Sequence, residues 1–336
     1  MICALLLSLL AGCGKAEPHV QTGFAFDTVV SITYYDEKDA EAVRKIMDRL
    51  DYYEMIFSRT LKDSELYTIN ARLAEAAKQG LQDVTVPLSA PMRQALSLTL
   101  EYAALTGGAF DPTLGRLLEI YDFSGQAHRV PSEAERTEIL SHCGWEKLTV
   151  EPVSGAGASA YRWQLTVADP DIVIDLGGMA KGYIADRLKE ELLAEGVKSA
   201  IINLGGNILV LGSKPDGSAY TVGVQKPEAG SSAYLITFPL TDASAVTSGS
   251  YQRFFEEGGV TYHHLLDPKT GLPAESGLTS VTVVTESSAE ADILSTALFV
   301  MGEGAAREFL ENFIDIDVYF VDENEAVAEC LQRQPK

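Results

Sequence analysis

Apolar positions recur at helical spacing in a few stretches of this chain and at strand spacing in many more. Val43, Ile46, Met47 and Leu50 form a stripe that predicts a helix over 38–56. Pro91 near its start and Thr106-Gly-Gly108 at its end bound a second helix over 90–105. The capping box Ser132-Glu-Ala-Glu135 opens a third that stops at Gly144, and Ile184, Leu188 and Leu192 recur every four residues in a fourth. Another capping box, Ser287-Ser-Ala-Glu290, begins a helix running through Ala291 to about Val300, and a last one covers Ala305 to Phe313. Strands are expected at 26–34, 162–168, 172–175, 199–203, 207–212, 220–225, 234–240, 260–266 and 279–285. Pro152 to Ala160, rich in Gly, Ser and Ala, reads as a loop or hairpin tip and is the nearest thing to a linker. Consecutive short strands after residue 199 favour antiparallel pairing. The pattern predicts an α+β fold of two interleaved lobes, mixed or antiparallel sheet with flanking helices, and a site between them.

The chain has 336 residues, 46% of them hydrophobic, which suits one large domain or two intimate ones with a substantial core. Its 26 basic against 48 acidic residues give a net charge of −22. Such a field repels nucleic acid and anionic lipid, so neither is an expected partner. It equally repels any anionic substrate at long range, and a site for one must supply local positive charge.

Three segments offer that chemistry. Asp175-Leu-Gly-Gly-Met-Ala-Lys-Gly182 follows the apolar Ile172-Val-Ile174 and feeds the helix of Ile184. A strand, glycine turn and helix in this order aim free backbone N–H groups at whatever sits over the turn, and phosphate is the natural guest. A lone Gly-Gly pair is more often a tight connection; Asp175 and Lys181 flanking it make a poor apolar core. The second copy, Asn203-Leu-Gly-Gly-Asn207, reads as turn architecture. In Ala291-Asp-Ile-Leu-Ser-Thr-Ala297 four residues separate Asp292 from Thr296, placing both side chains on one helical face. An isolated pair of this kind is commonly a surface carboxylate and an ordinary helical threonine. Here the helix is largely apolar, so the embedded carboxylate needs a partner, and a hard cation such as Mg²⁺ is one. His263-His-Leu-Leu-Asp-Pro-Lys-Thr-Gly271 carries two of five histidines. Neighbours on a strand face opposite ways, so only one of them is expected to enter the site, where an imidazole can act as general base.

These segments, together with Phe57-Ser-Arg-Thr60, Ser64-Glu-Leu66, Gly107-Gly-Ala-Phe-Asp-Pro-Thr113 and Thr247-Ser-Gly-Ser-Tyr251, resemble the ApbE family of FAD:protein FMN transferases across residues 26–334. The resemblance implies an enzyme that moves FMN from FAD onto a Thr or Ser hydroxyl of a target protein. It implies that Asp292 and Thr296 bind Mg²⁺ with a backbone oxygen near Gly178. It implies that Ala109, Phe110, Asp111, Asp175, Lys181 and Leu266 line the FAD site with Phe26 and Thr60. It also implies that His264, the first residue of a His-x-x-Asp-Pro motif, assists deprotonation of the incoming hydroxyl while Lys181 supports the pyrophosphate. The chain departs from the family in two places: Phe26-Asp-Thr28 stands where many members have Met-Gly-Thr, and Thr60 where some place an aromatic residue. Two other readings share these residues, an FAD pyrophosphatase yielding FMN and AMP and a non-enzymatic flavin-binding lipoprotein.

At the amino terminus, Ile2 to Leu10 is a mostly apolar run too short to span a bilayer, and Leu10-Ala-Gly-Cys13 resembles a bacterial lipobox. That likeness implies a signal peptide over 1–12, lipidation of Cys13, a tether over 13–25 and an extracytoplasmic enzyme anchored to a bacterial membrane. The expected acceptor is then the exported part of a membrane redox protein. Met1-Ile-Cys lacks the usual positive charge of such a signal. Cys143 and Cys330 sit in no nucleophile or zinc pattern.

Overall fold

The computed structural model describes residues 17–153, 162–227 and 233–333. Its strands are β1 (His19–Ala25), β2 (Thr28–Tyr34), β3 (Val84–Leu88), β4 (Leu148–Pro152), β5 (Trp163–Val167), β6 (Ala200–Leu204), β7 (Asn207–Leu211), β8 (Tyr220–Gln225), β9 (Tyr234–Leu240), β10 (Ser244–Gly249), β11 (Phe254–Glu257), β12 (Val260–His263), β13 (Leu278–Thr285), β14 (Asp317–Asp322) and β15 (Val327–Leu331). Its helices are α1 (Ala40–Met47), α2 (Leu50–Phe57), α3 (Glu65–Lys78), α4 (Ala90–Leu105), α5 (Gly115–Tyr121), α6 (Glu133–His142), α7 (Ala180–Ala194) and α8 (Ser288–Leu310).

Eight strands form one sheet in the order β1-β2-β6-β7-β10-β13-β14-β15, every neighbouring pair antiparallel. The chain leaves this sheet after β2, builds α1–α6 and the small sheet β3-β5-β4, and returns at β6, so the two lobes are interleaved in an α+β fold. Alternation puts Ile202, Leu204, Leu209 and Leu211 on the face that packs against Ile184, Leu188 and Leu192 of α7 and Ile293 and Ala297 of α8. The hairpin β8–β9 covers the middle of the opposite face, its Tyr220, Val224 and Phe238 meeting Val210, Ala245 and Tyr319. No helix among the described residues is long and apolar enough to cross a membrane.

Helices α7 and α8 matter most for the site, because their N-termini meet. Gly182, in the first turn of α7, lies so close to α8 that an added Cβ would sit 2.2 Å from the Ser288 carbonyl oxygen. Asp186, one turn on, accepts hydrogen bonds from Ser288 N (2.8 Å), Ala289 N (3.0 Å) and Ser287 Oγ (3.0 Å), satisfying the N-terminal amides of α8. Gly182→Ala should therefore destabilise the fold by about 2 kcal/mol or more despite alanine's better helix propensity, a loss read directly by denaturant unfolding.

Several expected elements differ. The helix expected over 38–56 is two, because Asp48 and Arg49 tighten into a turn in which Arg49 N reaches Ile46 O at 3.0 Å. The strand expected at 172–175 is a single bridge, Leu114 to Val173; the Asn70 carboxamide instead satisfies both backbone groups of Ile174, and Pro112 O takes Asp175 N. The strand expected over 260–266 stops at His263. Residues 19–25, expected in the tether, form the edge strand β1 paired along its whole length with β2. Gly23 interrupts its apolar pattern because α1 comes near, with Met47 Cε 2.9 Å from the place a Cβ would occupy. The expected signal peptide, Cys13 and residues 14–16 lie outside the described residues, as does most of the loop expected over 152–160, although the flanking β4 and β5 do pair. The helices expected to end near 300 and resume at 305 are the two halves of α8, broken at Gly302 (φ 74°). Cys143 and Cys330 are free thiols.

Candidate functional site

A cleft of about 1300 Å³ opens where the start of α7, the β1–β2 and β6–β7 turns, the end of β10 and the segment after β12 converge. Its walls hold Phe26, Thr60, Ala109, Phe110, Asp111, Asp175, Gly178, Lys181, His264, Leu266, Asp292 and Thr296, so the described residues assigned to the site from the sequence lie in one place.

The floor is the first glycine turn. Asp175 Oδ1 accepts from Gly177 N at 2.8 Å, closing the turn, and its Oδ2 accepts from Arg59 Nε at 2.7 Å. Arg59 also reaches Glu119 at 3.0 Å. Lys181 folds back over the turn, donating to Gly177 O at 3.1 Å with its ammonium 3.6 Å from Asp292 Oδ2. Asp292 is 3% exposed, and the same oxygen accepts from Gly182 N at 3.0 Å. The close approach of α7 and α8 thus sets a buried carboxylate beneath the turn. Thr296 follows one helical turn later, its Oγ1 3.1 Å from Ser248 Oγ of β10. An added Cβ on Gly178 would lie 2.9 Å from Phe110 Cε2, so glycine backbone packs directly against that ring, with Thr296 Oγ1 at an ordinary 3.5 Å from the same point. One carboxylate, one hydroxyl and nearby peptide carbonyls are the hard oxygen donors that Mg²⁺ prefers, and they fit it.

Around this floor, Asp111 Oδ1 accepts from Thr113 N (2.8 Å) and Thr113 Oγ1 (2.6 Å); burial pushes its carboxyl up, and these bonds oppose the shift. Phe26 occupies the left-handed region (φ 54°), with its N–H donating to Glu54 Oε1 at 2.9 Å. Leu266 is buried in the wall and bridges Pro273. His264 N donates to Arg253 O at 3.1 Å, and the ring's Nδ1 lies 3.3 Å from the same oxygen. A carbonyl only accepts, so Nδ1 carries the proton and Nε2 keeps its lone pair. Burial, reinforced by Arg253 and His263, holds this imidazole well below its ordinary range. His263 faces away, edge-on to Phe299 with centroids 5.5 Å apart, and burial pushes it down to about 4. His264, just past the end of β12, lines the cleft and His263 does not.

The sequence reading missed four contributors. Arg59 and Arg253 line the cleft and join Lys181 as its cations. Phe57-Ser-Arg-Thr60 was visible as a motif, but nothing local showed that Arg59 reaches a carboxylate 116 residues away. Ser248 likewise depends on β10 pairing with β13. The second glycine turn is more than architecture, since Asn203, Gly205, Gly206 and Asn207 all line the cleft. Asn207 is 2% exposed and its Nδ2 has no hydrogen-bond partner among the described residues, a donor that a bound ligand would satisfy. Elsewhere His142, Asp169 and Asp171 bring ligand atoms within 4.8 Å of one another, but Lys147 Nζ, 3.2 Å from Asp169 Oδ2, already supplies a cation there.

Residues 26–320 match the model of the ApbE family. The chain is 33% identical over 290 residues to a Klebsiella pneumoniae protein named FAD:protein FMN transferase, covering 86% of this chain and 84% of that one. A Treponema pallidum protein of the same name is 29% identical over 335 residues, covering 94% and 90% respectively. The crystal structure of the ApbE protein from Thermotoga maritima superposes with a TM-score of 0.82 at 30% identity, covering 95% of this chain and all of that one.

Proposed function

Since the chain belongs to the ApbE family, we propose that it is an FAD:protein FMN transferase, moving FMN from FAD to a Thr or Ser hydroxyl of an acceptor protein and releasing AMP. The observation that carries this reading is the meeting of Asp292, Thr296, Lys181 and His264 around one glycine turn in a single cleft. The acceptor oxygen bonds to the FMN phosphorus as the bond from that phosphorus to the bridging oxygen breaks, and AMP departs with that oxygen. Nε2 of His264 takes the hydroxyl proton, which a neutral imidazole can do without first losing one of its own. Lys181, Arg59 and Arg253 offset the repulsion that a chain of net charge −22 exerts on the nucleotide. The Asn207 amide holds a phosphate in line. Asp292 and Thr296, with a backbone oxygen near Gly178, would hold Mg²⁺. The ion would neutralise charge on the pyrophosphate. Incubation with FAD, Mg²⁺ and acceptor should leave flavin fluorescence on the acceptor band after denaturing electrophoresis, and fluorescence that runs only with free nucleotide would refute transfer.

The lipobox likeness at Leu10-Ala-Gly-Cys13 supports an enzyme anchored outside the cytoplasmic membrane, acting on the exported domain of a membrane redox protein. A net charge of −22 gives no attraction to anionic lipid, so a covalent anchor is what would keep the enzyme there. Cys13→Ser should move the protein from the membrane fraction to the soluble one with transfer activity retained. Wild-type protein found soluble and unacylated would contradict the anchor.

A further inference from the structure

The hairpin of β1 and β2 leaves an apolar face without a partner among the described residues. Its register sets Phe24 opposite Val29, Thr22 opposite Ser31 and Val20 opposite Thr33. Alternation turns these six outward while Ala25, Val30 and Ile32 enter the core. Phe24 is 71%, Val29 63% and Val20 58% exposed, on the edge strand and its neighbour, beyond the part of the sheet that β8–β9 covers. Exposed apolar groups gathered on an open sheet edge mark an interaction surface more often than scattered ones do.

Two observations say what covers this face. The patch runs into the cleft: Val29 adjoins Thr28, which lines it, and the Val29 carbonyl accepts from Gly205 N (3.2 Å) of the second glycine turn, also in its wall. The connecting turn is held in a costly shape. Phe26 and Asp27 both have positive φ (54° and 57°) with no glycine to ease it, and Glu54 fixes Phe26 N, so the hairpin tip is rigid at the mouth of the cleft.

We propose that the outward face of this hairpin, centred on Phe24 and Val29, is the docking surface for the acceptor protein, which meets it with an apolar, non-acidic surface beside the hydroxyl that enters the cleft. The inference rests on the transferase reading. Docking accounts for a rigid hairpin tip in the cleft wall and for apolar side chains kept in solvent next to it. It also gives a strongly acidic enzyme a way of holding a protein without charge attraction.

The test uses the full-length protein and the acceptor that wild type labels, recognised by in-gel flavin fluorescence and purified from cells lacking the transferase. Phe24→Glu combined with Val29→Glu should raise KM for that acceptor roughly tenfold or more, the worth of two apolar side chains denied burial. The kcat at saturating acceptor, the Kd for FAD and Tm should stay at wild-type values. A benzoyl-phenylalanine at position 24 should crosslink to the same fluorescent acceptor. Unchanged KM in the double variant would overturn the proposal. So would crosslinks to residues N-terminal to β1 or to a second copy, or a loss of FAD binding. Wild type that labels no acceptor would instead refute the transferase reading, which this design separates from the docking claim.

Discussion

Asp292→Asn should lower Mg²⁺-dependent turnover by at least about a hundredfold while the fold survives. The carboxylate supplies the only side-chain charge assigned to the ion and lies 3% exposed beneath the first glycine turn. Asparagine keeps an acceptor for Gly182 N, whose present bond to Oδ2 measures 3.0 Å, so the junction of α7 and α8 loses charge without losing its hydrogen bond. Alanine would also leave that buried N–H unpaired, at a cost of about 1–3 kcal/mol. The asparagine variant is therefore the cleaner reading of charge. Steady-state turnover against Mg²⁺ concentration, with Tm measured alongside, decides it. Full activity at ordinary Mg²⁺ would remove Asp292 from the metal site.

His264→Ala should slow transfer by roughly a hundredfold or more yet leave FAD binding intact. The ring lines the cleft with Nδ1 turned to Arg253 O and Nε2 free, the arrangement of a base and not of a phosphate ligand. Loss of FAD affinity together with rate would show a binding role instead. The sign of the pH dependence follows from the same burial. His263 and His264 are both held below the ordinary 6.5, His263 at about 4, so the folded chain takes up fewer protons than the unfolded one between those values. Their contribution to stability is complete above about pH 6.5 and falls as pH drops toward 4. An NMR titration of the ligand-free protein should find the His264 ring neutral at pH 6, and a ring that titrates near 6.5 would contradict the assigned environment.

What the sequence could reveal depended on whether the determining contacts were local. The capping box at Ser132 and the N-cap at Ser287 act within one turn and both open helices as read, but Glu290 accepts from Tyr102 Oη and does not close the second box. Asp292 and Thr296 were legible because helical geometry alone puts them on one face, whereas His263 and His264 part at the end of β12, one ring against Phe299 and the other at Arg253 O. The strand expected at 172–175 failed for the opposite reason: Asn70, 104 residues away, takes the backbone groups that a ladder would have used. Strand β10 was missed since Ser244–Gly249 is half polar, and its hydroxyls are satisfied only by tertiary partners, Ser244 with Ser288 and Ser248 with Ser295. The hairpin β1–β2 hid behind Gly23, whose absent side chain makes room for Met47. Arg59 and Asn207 belong to the same class, visible in motifs but meaningful only once distant elements meet.

Transfer of FMN to protein leaves a mass balance that hydrolysis does not. Purified full-length chain is incubated with FAD, Mg²⁺ and acceptor, and intact acceptor and free nucleotides are then weighed by mass spectrometry. Each acceptor molecule should gain one FMN less one water on a Thr or Ser, with AMP appearing in equal amount. AMP and free FMN appearing together, with the acceptor's mass unchanged, would contradict it.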